Sequence, residues 1–155
     1  MKILIAAVGQ KIPGWAQEAT RDYLSRLPRD FAAEVKEVKA EPRQGQDGQR
    51  LRAAEGQRLL ALAPRDAILV AMDEHGSDWD SERLARALSG WRERAGSVVF
   101  FLGGPDGLDE ALRSGCELRL RLSSMTLPHA LARVVLAEQL YRAWSILASH
   151  PYHRS

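Results

Sequence analysis

Apolar and polar positions alternate along this 155-residue chain in blocks of two kinds. Short unbroken apolar runs (Lys2–Val8, Ala67–Met72 and Ser97–Leu102) read as strands covered on both faces, which have no polar side to display. The stretches between them repeat their apolar residues at helical spacing. Pro13 opens the first of these and sets Trp15, Ala19 and Tyr23 at i, i+4 and i+8. Ala33–Lys39 is a weak strand, and a charged helix covers Gln49–Ala63. Asp80 can cap a helix carrying Leu84, Leu88 and Trp91 on one face, and Asp109 a shorter one reaching Gly115. Leu118, Leu120 and Leu122 alternate with Arg119 and Arg121, the period of a half-exposed strand. The last helix runs from Ala130 to Ser149, and Pro151 ends it. Its apolar positions (Leu131, Val134, Val135, Leu140, Trp144 and Leu147) spread so widely that burial against several neighbours is predicted, a second subunit included. Glu41–Gly48 and Asp73–Trp79 are polar and read as loops, the former a mobile one. Strands alternating with helices predict an α/β layer structure, and the length predicts one domain, residues 1–155.

Composition narrows the compartment more than the activity. Hydrophobic residues make up 45% and charged residues 27%, the balance of a soluble globular protein. No apolar run approaches the roughly 20 residues needed to cross a bilayer. The short apolar run after Lys2 lacks the cleavage site of a secretory signal. A single cysteine, Cys116, excludes an internal disulfide and a cysteine-based zinc site, and fits a reducing cytoplasm. The net charge is only +2, but residues 114–155 hold five arginines against two glutamates, and three of the four histidines. A basic end of this kind is compatible with phosphate contact.

The familiar nucleotide, metal and acyl-transfer motifs are missing. There is no G-x-x-x-x-G-K-[ST], no G-x-G-x-x-G after a strand, no H-E-x-x-H or C-x-x-C, and no G-x-S-x-G. Cys116 has no neighbouring histidine in sequence and reads as structural. What remains is chemistry that needs neither a metal nor a covalent nucleophile. Three strand ends carry unusual loops: Met72-Asp73, Gly103-Gly104-Pro105-Asp106-Gly107, and Leu122 to His129. Open α/β sheets bind ligands outside the carboxyl ends of their strands. The glycines allow close backbone approach, and Asp106 in place of a lysine suits a neutral or cationic ligand such as an adenosine bearing a sulfonium. Ser123, Ser124, Met125, Thr126 and Leu127 combine hydroxyls, amides and an apolar wall, the mixture an adenine ring needs. Glu138 and Arg142 are spaced to pair on the last helix. In the tail, Tyr152 can stack on a base, Arg154 can hold a phosphate or a base edge, and His153 can titrate near neutrality. Singly, each feature also has an ordinary reading as a turn, a capped loop or a solvated tail.

Together these residues resemble one family. G-G-P-D-G-L after a strand, then S-S-M-T-L-P-H, A-E-Q-L-Y-R-A-W-S-I and S-H-P-Y-H-R, resemble the ribosomal RNA large subunit methyltransferase H family. A-V-G-Q-K-I-P-G-W near the start and D-E-H-G-S-D-W-D from Asp73 to Asp80 extend the resemblance over the whole chain, most loosely at Ala40–Leu62. Ser149 stands where asparagine is common in the family. The resemblance implies a SPOUT methyltransferase fold, a mostly parallel sheet with helices on both faces and a C-terminal trefoil knot. It implies a 23S rRNA (pseudouridine-N3)-methyltransferase that uses S-adenosylmethionine and works in the cytoplasm as a homodimer, without metal or membrane. The substrate would be 23S rRNA within the assembled ribosome. Mapped here, the cofactor pocket comprises Met72, Asp73, Gly103, Gly104, Ser123, Ser124, Met125, Thr126, Leu127 and Pro128. The target side draws on His129, Arg142, Tyr152, His153 and Arg154, and the tail could complete the neighbouring subunit's site. His129, His153 and Asp73 remain alternative bases for the N3 proton, with Arg142 and Arg154 available to the developing anion or to phosphates. Two rivals stand beside this reading: a SPOUT methyltransferase acting on tRNA or a ribose 2′-hydroxyl, and a noncatalytic ribosome-binding factor.

Overall fold

The computed structural model describes residues 1–9, 11–42 and 47–154. The described residues form five strands, β1 (Lys2–Val8), β2 (Ala33–Val38), β3 (Ile68–Asp78), β4 (Ser97–Leu102) and β5 (Leu118–Arg121). All pair in parallel in one sheet of order β2-β1-β4-β3-β5. The helices are α1 (Gly14–Ser25), α2 (Gly48–Leu62), α3 (Ser81–Arg94), α4 (Glu110–Ser114) and α5 (His129–Leu147), with single 3-10 turns at Arg29–Phe31 and Pro151–His153.

Strand order decides where the helices go. Crossovers between parallel strands are right-handed, so a connection's direction across the sheet fixes its face. The steps β1 to β2 and β3 to β4 run one way, and β2 to β3 and β4 to β5 run the other. α1 and α3 should therefore share a face, opposite α2 and α4. They do: α1 and α3 both pack on α5, and α2 packs on α4. Consecutive residues of the central strands feed the two sides in turn. Ile3, Ile5, Val98 and Phe100 join Leu24, Leu88, Leu136 and Leu140 in one core, while Leu4, Ala6, Val99 and Phe101 join Leu59 and Leu112 in the other. This double burial is why β1 and β4 are apolar without interruption. Each fully buried leucine contributes on the order of 2 kcal/mol.

Most sequence-predicted boundaries hold within two residues, and β4 coincides with its prediction. Asp80 and Asp109 cap as expected, accepting from the Arg83 amide at 2.7 Å and the Leu112 amide at 3.4 Å. Three expectations need correction. In α1 the buried row is Ala16, Thr20 and Leu24, and Trp15 is exposed. The two rows are adjacent on the helix, and the helix is rolled so that the smaller residues meet the sheet. β3 does not end at Met72: after Asp73–Gly76 leave the ladder, Ser77 and Asp78 pair with β5 again. The last helix stops at Leu147, because Ser149 adopts φ +55° and turns the chain back. Of the expected mobile loop Glu41–Gly48, residues 43–46 lie outside the described residues and Gly48 already belongs to α2. Cys116 is half-buried, donates to the Leu112 carbonyl at 3.3 Å and has its thiol pushed up to about 11 by burial, all in keeping with a structural role.

Candidate active site

Three neighbouring strands, β4, β3 and β5, end side by side, and a cleft of about 560 Å³ opens at their carboxyl ends. Each strand contributes a loop of different construction. After β4, the Gly107 amide donates to the Gly104 carbonyl at 3.0 Å and closes a tight turn around Pro105 and Asp106. Gly103 is obligatory at its base, since a Cβ there would lie 2.6 Å from the Gly107 carbonyl carbon. From β3, Asp73, Glu74 and His75 bulge into the cleft between two stretches paired with β5. Gly76 lets the strand return, because a Cβ would stand 2.7 Å from the Arg119 backbone. Bulges of this kind aim side chains at a site. After β5, the Ser123 hydroxyl accepts from the Met125 amide at 2.9 Å and folds the segment over the cleft, where Met125 remains 78% exposed.

Asp73 is buried at the cleft floor and is not an isolated carboxylate. It accepts from the His75 amide at 3.0 Å and faces Arg113 at 3.6 Å and Arg119 at 4.0 Å. Arg119 also bonds Glu110 at 2.9 Å, and that guanidinium holds the Glu110 carboxyl below its usual range. The Arg113 Nε is buried with no partner among the described residues. Of the residues assigned to the cofactor, Met72, Asp73, Gly103, Gly104, Ser123, Met125, Thr126, Leu127 and Pro128 all line the cleft, whereas Ser124 does not. His129, the first residue of α5, lines it too.

The other four target-side residues gather elsewhere. Arg142 lies 13 positions beyond His129, which a helical rise converts to about 20 Å along α5. There the tail folds back on the helix. The Tyr152 hydroxyl donates to Glu138 Oε2 at 2.6 Å, and Arg142 pairs with the same carboxylate at 2.8 Å and sits 5.0 Å above the Tyr152 ring. Tyr141 packs against Tyr152 with ring centroids 4.5 Å apart, and the His150 Nδ1 accepts from the Tyr152 amide at 3.1 Å. Burial, reinforced by the bond to Glu138, pushes the Tyr152 hydroxyl above the ordinary tyrosine range. His153 is half-buried with its Nδ1 unpartnered among the described residues, and Arg154 is exposed. The tail is thus an ordered structure, and within one chain it stands apart from the cleft.

Two contributors escaped the sequence reading. Arg113 gave no signal beyond its place in a short helix next to the glycine loop. Arg133 sits among apolar neighbours on α5, yet it is only 3% exposed, pairs with Glu37 at 3.1 Å and reaches the Gly9 carbonyl at 3.5 Å. An arginine among apolar neighbours on the helix is the signal that could have found it. It ties the start of α5, and so the cleft wall, to the ends of β1 and β2.

Among the described residues no helix is long and apolar enough to cross a membrane, and no cluster of three or more metal-ligating side chains forms. Full-length relatives named ribosomal RNA large subunit methyltransferase H include that of Bordetella petrii, 51% identical with both chains wholly covered, and that of Verminephrobacter eiseniae, 54% identical over 99% of each. Among solved structures, a methylase family protein of Haemophilus influenzae matches with TM-score 0.57 at 13% identity, over 99% of this chain and 70% of its own. A methyltransferase of Legionella pneumophila solved with SAM bound matches with TM-score 0.51 at 14% identity, over 92% of this chain and 66% of its own. At such identities the two structures speak for the fold alone. The profile described as "Predicted SPOUT methyltransferase" spans residues 1–153, taking in the glycine turn, the Ser123–Pro128 segment and the tail, and the chain belongs to that family.

Proposed function

We propose that this protein is an S-adenosylmethionine-dependent methyltransferase acting on N3 of a pseudouridine in 23S rRNA of the assembled ribosome. It would work in the cytoplasm as a single-domain homodimer. The observation that carries the reading is the division of labour along α5: a ligand-sized cleft at its first residue, and an aromatic, basic tail cluster near its end. The full-length relatives at about half identity, all named for ribosomal RNA, support the substrate class.

The cleft suits the cofactor. Leu102, Leu122 and Leu127 supply apolar wall, Ser123 and Thr126 hydroxyls, and Glu74 and Asp106 negative charge toward a sulfonium. At Gly103 the turn closes on the Gly107–Leu108 backbone too tightly for a Cβ, which fixes the backbone of this cleft wall. S-adenosylmethionine, when bound, supplies a methyl group that is intrinsically reactive. The protein's work is therefore alignment and removal of the N3 proton. Of the three candidate bases His129 is the one we favour, since it lines the cleft, Asp73 is already engaged by two guanidiniums and His153 lies on the tail. Because the tail of one chain stands along α5 from its own cleft, a second copy bringing Tyr152, His153 and Arg154 to the site accounts for both features. The C-terminal knot implied by the family belongs to this reading.

Mass mapping of 23S rRNA after incubating ribosomes with the enzyme and labelled cofactor tests it. One methyl group on one pseudouridine is expected, with tRNA and free 23S rRNA as poorer acceptors. Removal of the last four residues should leave cofactor binding intact and lower methyl transfer by at least about 100-fold. Methylation of a ribose hydroxyl or of tRNA would replace the proposed substrate, and failure to bind S-adenosylmethionine would favour a noncatalytic ribosome-binding factor.

A further inference from the structure

Glu138 sits at the centre of the tail cluster, although it is itself remote from the cleft. It lies nine positions past His129, about 14 Å along the helix by the rise per residue. Its side chain is only 17% exposed, and that of Arg142 is 28% exposed. One carboxylate oxygen, Oε2, takes both the Tyr152 hydroxyl at 2.6 Å and the Arg142 guanidinium at 2.8 Å, and Arg142 Nε approaches it at 3.1 Å. Hydrogen bonds to a charged acceptor in such a half-buried setting are the strong ones. The Tyr152 ring then meets both Tyr141, with centroids 4.5 Å apart, and the Arg142 cation, 5.0 Å from its centroid. The Gln139 side-chain Nε2 donates to the remaining oxygen, Oε1, at 2.8 Å, which fixes the plane of the carboxylate. Downstream of Tyr152, among the described residues, the Arg154 amide donates to the Pro151 carbonyl at 3.2 Å and His153 is half-buried. The direction in which His153 and Arg154 project therefore follows from how Tyr152 is seated, and Glu138 is the charged partner of its hydroxyl, with Tyr23 a second neighbour of that hydroxyl.

We infer that Glu138 is a positioning residue for the methyl transfer, setting the geometry of Tyr152, Arg142 and the residues that follow without touching cofactor or target itself. This rests on the proposed role of the tail. It also explains the pairing pattern: a carboxylate beside an RNA-binding tail opposes phosphate unless its charge is spent inside the protein, and here Arg142 cancels it.

The test combines a tail readout with a kinetic one, on the full-length protein. In E138L the Tyr152 and Arg154 amides, bonded to His150 and Pro151, should exchange with solvent at least about tenfold faster, while amides in the first half of α5 keep their rates. On ribosomes, kcat should fall about 50-fold, with the dissociation constant for S-adenosylmethionine changed less than about twofold. Adding Y152F to E138L should cost less than about twofold more, because both act through one unit. E138Q keeps an acceptor for the Tyr152 hydroxyl and should recover part of kcat. A merely stabilising residue would instead lower the melting temperature and give no split between cofactor affinity and kcat. Unchanged tail exchange in E138L overturns the inference, as does tail release with full kcat, or additive losses with Y152F. Tail release in a protein whose wild type methylates no RNA would leave the positioning intact and sink the proposed function.

Discussion

The two halves of α5 serve sites made of different material. At its start the cleft is framed by backbone: a turn closed by Gly104 and Gly107, a bulge returned to register by Gly76, and a loop folded by Ser123 on the Met125 amide. At its end the tail cluster is held by side chains, with Glu138, Arg142, Tyr141 and Tyr152 meeting in pairs and stacks. A backbone-built site is rigid and intolerant of any added atom, whereas a side-chain cluster keeps its outline only while the pairs that hold it are intact. The difference matches the tasks proposed: a small cofactor of fixed shape needs a preformed cradle, while a tail meeting RNA across two subunits needs direction more than enclosure.

The largest expected effect comes from one methyl group in the cradle. G103A places a Cβ 2.6 Å from the Gly107 carbonyl carbon, against the Gly107–Leu108 peptide with no flexible side chain to yield. Affinity for S-adenosylmethionine should fall by at least about 100-fold, or about 3 kcal/mol, by calorimetry, while the tail amides keep their exchange rates. Equal loss of tail protection would mean the two regions are one cooperative unit. A smaller effect is expected at the joint that fixes the start of α5. E37A leaves Arg133 buried with the Gly9 carbonyl as its remaining partner among the described residues, and should cost about 2–3 kcal/mol of folding stability in denaturant. Because Arg133 lies one turn past His129, cofactor affinity should weaken with it and the tail should not.

How far these regions could be read in the sequence follows from the same contrast. Strands buried on both faces announced themselves as apolar runs, and Asp80 and Asp109 marked their helices by capping chemistry. The cradle was legible because glycine and proline are local signals, and G-G-P-D-G constrains its own backbone. The return of β3 after Gly76 was not, since it depends on Arg119 of β5 passing close by, a contact between distant segments. The roll of α1 escaped for a related reason. Adjacent helical rows differ by one position, and only the sheet beneath decides which is buried. Ser123 to Pro128 were expected as one cofactor segment, and five of the six line the cleft; the exclusion of Ser124 depends on side-chain direction, which spacing does not carry. The tail's composition was plain, but its docking on Glu138 rests on a reversal at one residue, Ser149.

That residue supplies the smallest effect and the sharpest separation of the two regions. The His150 amide donates to the Ser145 carbonyl at 2.8 Å and the Ser149 amide to Ile146 at 3.3 Å, the paired bonds that close a helix through a left-handed residue. Serine at φ +55° bears a cost of about 1 kcal/mol that asparagine reduces and a β-branched residue increases. S149N should therefore stabilise the protein by about 0.5 kcal/mol, raising the melting temperature by 1–2 °C at this chain length. S149V should destabilise it by more than about 1 kcal/mol and free the tail amides to exchange, since the reversal that carries Tyr152 back to Glu138 is then strained. Neither substitution should move the affinity for S-adenosylmethionine beyond about twofold, because the cradle lies at the other end of the helix. A clear change in that affinity would show that the tail's anchorage reaches the cleft within a single chain, and the separation of the two regions would fail.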